Sequence, residues 1–593
     1  MAIKGNKGKS LRGFIASACK KATRLFDLSR TSSTTRSLKN VLLCLSVRTA
    51  GVFLGTLGIY SFIISMILAL FTERSVDSSG IYGGLLLAVC SAPLLFSNGN
   101  VSTALTNSRT GSFICHQLNI RKESLPYEPV INSLTAAFVL GIVFSLATLV
   151  IPFSYVIGAV AVAVMAAIVL HSPEAGLTFF VVCLFLTGVY LQFFILSITI
   201  LSYVLKLIRG KRSLSLKKTD LILPVFAICT LGAMISSSKE AVSVENMKYF
   251  LFLVPYLLAV CLIRDCRNVK KLMGLSVALA GTLCAVYLLG SAIIAVLPRD
   301  VAVDPAFLMN SVLSLPAFKN EFAPLLCATL IPVSIAFVMK PHSEGNRLTM
   351  FLCFVSMLSA LIVSENIAHT AAAVIASVIL ILIAGNRKLY FFLSLLLGTT
   401  VIISFAGAFG ERLYGYIFQS IKDSYSDVTK GYFQNGKAVF GQFVFCGQGF
   451  SEKASGTSFF YNVFYQLGLC GSIILAALVI AVLIEAVIII TKTYKTSSYK
   501  ESIARFHTVA DPAELRMGSV AMICAILAVI ICGTFSDLYT TSASYAWMFL
   551  VCGLCSAYSA SAGSSIDKAR SAIYSDDCSE RAAAVIKSSP SEI

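Results

Sequence analysis

Long apolar segments alternate with short polar connections along almost the whole chain. Each is long enough to cross a bilayer, where about 20 predominantly apolar residues close their backbone hydrogen bonds as a helix. They are too long and continuous for barrel strands. The pattern predicts an all-α fold, a polytopic transmembrane helical bundle of about 14–16 spans. The predicted spans are 49–71, 81–97, 132–151, 155–171, 177–191, 193–208, 219–236, 248–263, 272–297, 321–339, 348–364, 368–385, 389–409, 460–490, 518–536 and 545–560.

One polar segment late in the chain interrupts this alternation. Residues 410–455 form a run of 46 residues that is too polar to cross a bilayer, with apolar segments on both sides. A polar loop of this size between spans is where recognition or chemistry is expected. We therefore divide the chain into four parts: a basic tail (1–48), an N-terminal membrane scaffold (49–218), a membrane domain (219–560) that contains this loop, and a C-terminal tail (561–593).

Composition supports a membrane protein and narrows its chemistry. Only 13% of the 593 residues are charged, about half of the usual share in soluble proteins. The 18 cysteines lie mostly in apolar runs without CxxC or Cys/His spacing, so no metal and no cofactor is expected. Walker and GxGxxG motifs are absent, which disfavours an ATP-driven pump. A basic tail precedes the first apolar run, near Thr49, so no cleavable signal peptide is expected.

The distribution of basic residues predicts the orientation. If 177–208 forms two spans, 37 of the 47 Lys and Arg residues lie on the amino-terminal side of the membrane, as the positive-inside rule requires. A single span would instead put the basic run 209–218 on the opposite face. We therefore expect two spans and cytoplasmic termini. Lipid headgroups account for the net charge of +18, so membrane lipid, and no nucleic acid, is the expected partner.

A Glu–His pair on the predicted outer face is a candidate catalytic site. Glu365 and His369 are four residues apart in the connection 364–370, a spacing that places them on one helical face. The carboxylate could orient the imidazole as a general base for a hydroxyl acceptor. Alternatively, both residues simply lie in a solvated polar turn.

Basic residues on the same predicted face are candidates for phosphate binding. Arg412, Lys430 and Lys437 lie in the polar segment, and Lys319 lies in the outer segment 298–320. Arginine and lysine pair well with phosphate oxygens. The alternative is an ordinary amphipathic surface helix, because acidic residues nearly balance the basic ones in this segment.

Three smaller features carry no assignment from sequence alone. Glu485 lies within a long apolar run, where it is protonated, paired across the bundle, or part of a pathway; the sequence indicates no partner. Glycine pairs in GQGF (447–450) and GLCG (468–471) indicate either a functional turn or close helix packing.

Four segments, in this order, resemble the O-antigen ligase and O-antigen polymerase superfamily of bacterial envelope proteins. The resemblance covers roughly 219–560 and implies a many-helix protein with a large outer loop. It implies metal-independent transfer of a glycan from an undecaprenyl-diphosphate donor to an acceptor on the outer face. The segments are FKNEFAPLLCATLIPVSIAF (318–337), IVSENIAHTAAAVIASVILILI (362–383), GYFQNGKAVFGQFVFCGQGF (431–450) and FFYNVFYQLGLCGSI (459–473).

The chain departs from the family pattern at three motif positions. Glu365 stands where the family has an arginine, Lys319-Asn320-Glu321 replaces Asn-Pro-Asn, and only Asn462 remains of a His-Asn pair. We hypothesise that His369, oriented by Glu365, is the catalytic base. The hypothesised sites for the polyprenyl-diphosphate-linked glycan are Arg412, Lys319, Asn320, Lys430 and Lys437.

Two alternatives to a glycosyltransferase stay open. One is a degenerate relative that binds or moves lipid-linked glycan without catalysis. The other is a secondary transporter, which would have two half-repeats with broken helices. The sequence indicates neither half-repeats nor broken helices.

Overall fold

The fold is an all-α bundle of apolar helices. The computed structural model describes residues 44–71, 78–97, 99–118, 133–209, 212, 216–217, 219–236, 249–296, 322–339, 344–363, 367–384, 447, 449, 458–497, 512–535 and 542–588. Within these ranges eight helices are long and apolar enough to cross a membrane, and seven further apolar helices have 10–17 residues. Every predicted span has a counterpart among these fifteen helices except 389–409, which lies outside the described residues. The prediction of a multi-pass helical membrane protein is confirmed.

The chain divides into two compact units. Unit 1 contains residues 1–179 and 194–214, and unit 2 contains 180–193 and 215–593. In unit 1, small residues allow two helices to approach closely: a Cβ at Gly58 would overlap the backbone of Gly84 and Ala88, a packing mode typical of membrane helices. The helices of unit 1 are α1 (Val47–Phe71), α2 (Ser78–Leu95), α3 (Val101–Asn107), α4 (Arg109–Gln117), α5 (Leu134–Ala147) and α6 (Phe153–His171).

The region 177–208 forms two helices rather than one. They are α7 (Pro173–Leu186) and α8 (Val189–Ile208), and α8 turns back along α7. Near the turn, the Gln192 amide donates to the Thr187 carbonyl at 2.9 Å. At the other end of the hairpin, the Ser202 hydroxyl donates to the Val169 carbonyl at 2.8 Å. The two-helix prediction for this region is confirmed.

Unit 2 is built around helices that are largely buried by their neighbours. Trp547, the only tryptophan of the chain, is fully buried and donates its Nε1 hydrogen to Thr329 Oγ1 at 3.0 Å. The Phe185 ring meets it edge-on at 6.1 Å between centroids. The helices that lie wholly in unit 2 are α9 (Ile222–Ser236), α10 (Val254–Leu262), α11 (Cys266–Val296), α12 (Phe322–Met339), α13 (Glu344–Val363), α14 (Ile367–Ala384), α15 (Phe459–Ser497), α16 (Pro512–Phe535) and α17 (Ser542–Ser588).

Polar contacts define one end of unit 2, which we call the Lys217 end. Lys217 bonds to Glu485, Lys270 bonds to Glu514, and the Cys266 thiol lies 2.9 Å from the Ser561 hydroxyl. Lys492 and Asp567 form a looser pair at 3.6 Å. These contacts bring together residues that lie at or near the connections between the helices, on one end of the unit.

The opposite end of unit 2, which we call the Ser458 end, contains the start of α15. The Ser458 hydroxyl donates to the Gly533 carbonyl at 3.2 Å, near the end of α16. The Phe459 and Tyr545 rings lie 6.4 Å apart, and Tyr545 also meets Tyr249 edge-on at 5.6 Å. The helix starts of α15 and α17 therefore lie side by side with the end of α16.

Candidate functional site

The structure describes one of the seven residues predicted to form a site. His369 is the third residue of α14 and is fully buried. Its helix packs against α12 and α16, so the imidazole lies inside the helix bundle. The other six predicted residues lie outside the described residues: Glu365, Arg412, Lys319, Asn320, Lys430 and Lys437.

An interruption in α15 is the most unusual backbone feature of unit 2. Gly468 has φ 68° and ψ −167°, a conformation that L side chains rarely adopt. It separates a short half-helix, 459–467, from a long one, 469–497. The interruption lies about 14 Å along the axis from the start of the helix, at the Ser458 end. Irregular backbone inside a membrane domain persists only where protein covers it or where it lines a polar cavity. The glycine pair in GLCG thus marks a helix break.

Two glycines at the end of the polar segment pack directly on this interruption. The Gly449 N–H donates to the Gln466 carbonyl at 3.0 Å. Gly447 has φ 69°, and a Cβ there would overlap the Gln466 carbonyl and the Gly468 nitrogen. Both glycines are buried. Gly447 and Gly449 therefore contact α15 roughly two turns from its start, and we call this contact of the two glycines with 466–468 the glycine junction.

The hydrogen bond of Gly449 uses a carbonyl that the interruption releases. In an uninterrupted helix the Gln466 carbonyl would accept from the N–H of Cys470, four residues later. Residues 469–471 instead begin a new helix, whose first N–H groups have no intrahelical partner carbonyl. Gly449 therefore satisfies the Gln466 carbonyl that the break leaves free, and the N–H groups after the break belong to the start of a new helix.

The short half-helix carries a buried polar stripe that leads to the junction. Ser458, Asn462 and Gln466 recur every four residues and so share one helical face, and they are 1%, 1% and 7% exposed. Among the described residues, the Gln466 amide oxygen, Oε1, has no hydrogen-bond partner. Buried polar atoms are nearly always satisfied, so this oxygen is a candidate acceptor for a group from outside the chain. Cys470, two residues beyond the break, is exposed.

The Lys217–Glu485 ion pair forms a second polar site, at the Lys217 end. Lys217 Nζ lies 2.5 Å from Glu485 Oε2 and also donates to the Ser556 carbonyl at 3.1 Å. The Thr219 hydroxyl donates to Glu485 Oε1 at 2.6 Å. Both carboxylate oxygens of Glu485 are thus bonded, which answers the question of its partner that the sequence left open.

Asp220 extends this cluster into the interior. The carboxylate is fully buried and accepts from the backbone N–H of Lys217 at 2.8 Å. Its other oxygen accepts from the Tyr256 hydroxyl at 2.9 Å and the Ser556 hydroxyl at 3.2 Å. The cluster therefore ties the turn before α9 to α10, α15 and α17. Each carboxylate has several donors, the condition under which a buried charge is tolerated.

The two polar sites therefore have different characters. In the ion-pair cluster each carboxylate is fully bonded to its own chain, which suits a structural role. The glycine junction leaves the amide oxygen of Gln466, two residues before the helix break, unsatisfied among the described residues, which suits a ligand. No family model and no curated protein matches the chain.

Proposed function

We propose that this protein is a metal-independent membrane glycosyltransferase of cell-envelope polysaccharide assembly in the bacterial plasma membrane, with cytoplasmic termini. It transfers a glycan from a polyprenyl-diphosphate donor to an acceptor on the outer face. The glycine junction supports this proposal. GQGF and GLCG belong to two segments that resemble the ligase and polymerase superfamily, and Gly449 of the first bonds to Gln466, just ahead of the second, at 3.0 Å.

The transfer is a substitution at the anomeric carbon of the donor sugar. The acceptor hydroxyl oxygen forms a bond to that carbon, the bond to the diphosphate oxygen breaks, and the polyprenyl diphosphate leaves with the electron pair. The hydroxyl proton passes to a base, for which His369 is the candidate. Negative charge grows on the departing diphosphate, which Arg412 and Lys319 stabilise. Because His369 is buried, the acceptor hydroxyl must enter between α14 and its neighbours to reach it.

The experiment is glycan transfer in proteoliposomes that contain the purified full-length protein, a polyprenyl-diphosphate-linked glycan and an envelope glycan acceptor. We expect transfer by the wild type. We expect a loss of at least about 100-fold in His369→Gln, the usual effect of removing a general base, and a comparable loss in Arg412→Ala. Lys492→Ala, which removes a half-exposed ammonium at the far end of unit 2, is the control. Wild-type rates in both site variants would refute the residue assignment, and a wild type that never transfers would refute the function.

A second candidate function, movement of the lipid-linked glycan across the membrane, is favoured by the interruption at Gly468. Interrupted helices near substrate sites are a feature of secondary transporters. The same proteoliposomes distinguish the two functions, because transport changes the leaflet of the donor without changing its mass. Product of higher glycan mass supports transfer, whereas leaflet exchange of unchanged donor supports transport.

A further inference from the structure

We infer that the glycine junction binds the phosphate–sugar head of the lipid-linked substrate: the helix start at 469–471 holds the phosphate, and Gln466 holds a sugar hydroxyl. This inference rests on the proposed function, since that function supplies the substrate class. The N-terminus of a helix presents free N–H groups and the positive end of the helix dipole, which together favour a phosphate. Half-helix starts inside membrane proteins bind anionic substrate groups in this way.

Gln466 supplies the second, independent observation. The residue is 7% exposed, and its Oε1 has no hydrogen-bond partner in the part of the chain that the structure describes. It precedes the break by two residues. An unsatisfied buried acceptor costs about 1–3 kcal/mol, so retaining it is explained by a donor that arrives with a ligand. A sugar attached to a phosphate carries hydroxyl donors beside the anion.

One side of the helix start is exposed, at Cys470, whereas Gly471 is buried. Leu469 is half-buried and Cys470 is exposed, while Gly471 lies against Leu467. A ligand that bonds to the first N–H groups of 469–497 would therefore cover the Cys470 side chain. This thiol is a native reporter of occupancy.

The first experiment measures alkylation of Cys470 in the full-length protein in lipid nanodiscs. A water-soluble maleimide is added, and each cysteine-containing peptide is followed by mass spectrometry. Cys90, which is exposed in α2 of unit 1, is the matched control thiol. We expect polyprenyl-diphosphate-linked N-acetylhexosamine to slow the alkylation of Cys470 at least fivefold and to leave Cys90 unchanged. A Cys470 thiol that never reacts, or that reacts equally with and without the lipid, would overturn the inference.

Two further additives separate the sources of a phosphate. Inorganic pyrophosphate lacks both lipid and sugar, and phosphatidylglycerol supplies an ordinary anionic headgroup. The inference predicts weak protection by pyrophosphate and none by phosphatidylglycerol. Equal protection by phosphatidylglycerol would show an unspecific headgroup site and would overturn it.

The second experiment tests Gln466 with variants that keep its size. Gln466→Leu removes the acceptor, and Gln466→Glu places a negative charge beside the phosphate. We expect affinity for the lipid-linked sugar to fall about tenfold in each, the effect of losing one good hydrogen bond. In the absence of ligand, Gln466→Leu should be at least as stable as the wild type, because an unsatisfied buried oxygen is removed. Gln192→Leu, which removes another buried glutamine, should leave affinity unchanged.

A purely structural role for Gln466 predicts the opposite pair of results, namely lower stability and unchanged affinity. The binding and transfer assays can fail separately. Protection of Cys470 without glycan transfer would refute the proposed function and keep the site, whereas transfer without protection would keep the function and refute the site.

Discussion

The Lys217–Glu485 pair makes a prediction about stability whose magnitude follows from its geometry. Lys217→Met leaves the Glu485 carboxylate with the hydrogen bond from the Thr219 hydroxyl but without its cation. Glu485→Met removes the anion and leaves the ammonium with the Ser556 carbonyl. Each single variant therefore strands a charge inside the bundle. The double variant strands neither.

The burial of the two side chains sets the expected size of the effect. Exposed ion pairs contribute up to about 1 kcal/mol, whereas removal of one member of a fully buried pair costs about 3–5 kcal/mol. Lys217 is 30% exposed and Glu485 is 17% exposed, which places this pair between the two cases. We expect each single variant to lose about 2 kcal/mol, and the double variant to lose less than the sum, with a coupling of about 1–2 kcal/mol.

The assay is reversible unfolding in mixed micelles, followed by the fluorescence of the single tryptophan. Trp547 is fully buried in unit 2, so its emission reports on the unit that contains the pair. The matched control is the Lys492–Asp567 pair, with a distance of 3.6 Å and side chains 44% and 64% exposed, for which the coupling should stay below about 0.5 kcal/mol. Strict additivity for Lys217 and Glu485, or equal coupling in the two pairs, would show that this ion pair does not hold the helices together.

Two further predictions concern residues that the fold places under tight constraint. Gly447→Ala should lower the free energy of unfolding by about 2 kcal/mol or more, because a left-handed alanine costs about 1 kcal/mol and its Cβ would overlap the Gln466 carbonyl. The control, Gly158→Ala, has no atom within 4 Å of its added Cβ and should be neutral or slightly stabilising. Equal losses of stability in the two variants would contradict the packing at the glycine junction. Trp547 should emit at a shorter wavelength than free tryptophan and resist iodide quenching, since its ring is fully buried and its Nε1 hydrogen bonds to Thr329; efficient quenching by iodide would contradict that placement.

The spans could be predicted because membrane burial leaves a strong record in the sequence. A helix in hydrocarbon must be apolar along its whole length, so run length located most of the helices within a few residues. Charge then resolved 177–208 into α7 and α8. What the sequence does not record is which face of each helix meets protein. In α15, Val482 and Ala486 are buried while Ile484 and Val487 are exposed, and all four are equally apolar because lipid replaces water as the solvent.

The ion pair could be anticipated only in part. An isolated carboxylate such as Glu485 in an apolar run indicates that a partner exists. It does not indicate which of the 47 basic residues supplies it, because the partner is 268 residues away in sequence. Lys217 belongs to a basic run that the positive-inside rule explains fully without a pairing role. Because the positive-inside rule already explains Lys217, the sequence gives no reason to expect that this residue also pairs with Glu485.

The helix break escaped prediction for a different reason. Each glycine pair, taken alone, is equally consistent with close packing, and the sequence indicates no broken helix. The role of the two glycine pairs follows only from the contact between them. Gly468 opens α15 and releases the Gln466 carbonyl, Gly449 bonds to that carbonyl, and Gly447 fits only because it lacks a Cβ.

This dependence has a consequence for how the polar segment acts. Gly449, near its end, donates to a carbonyl that is a free acceptor only while α15 stays interrupted. If α15 became continuous at Gly468, the Cys470 N–H would compete with Gly449 for the Gln466 carbonyl, and the helix start at 469–471 would disappear with it. Anchoring the polar segment and forming the anion-binding helix start are therefore one event. A ligand that bonds to residues 469–471 binds the interrupted form of α15 more tightly than a continuous form. It therefore shifts the equilibrium toward the interruption and the docked segment, by the difference between its binding free energies for the two forms.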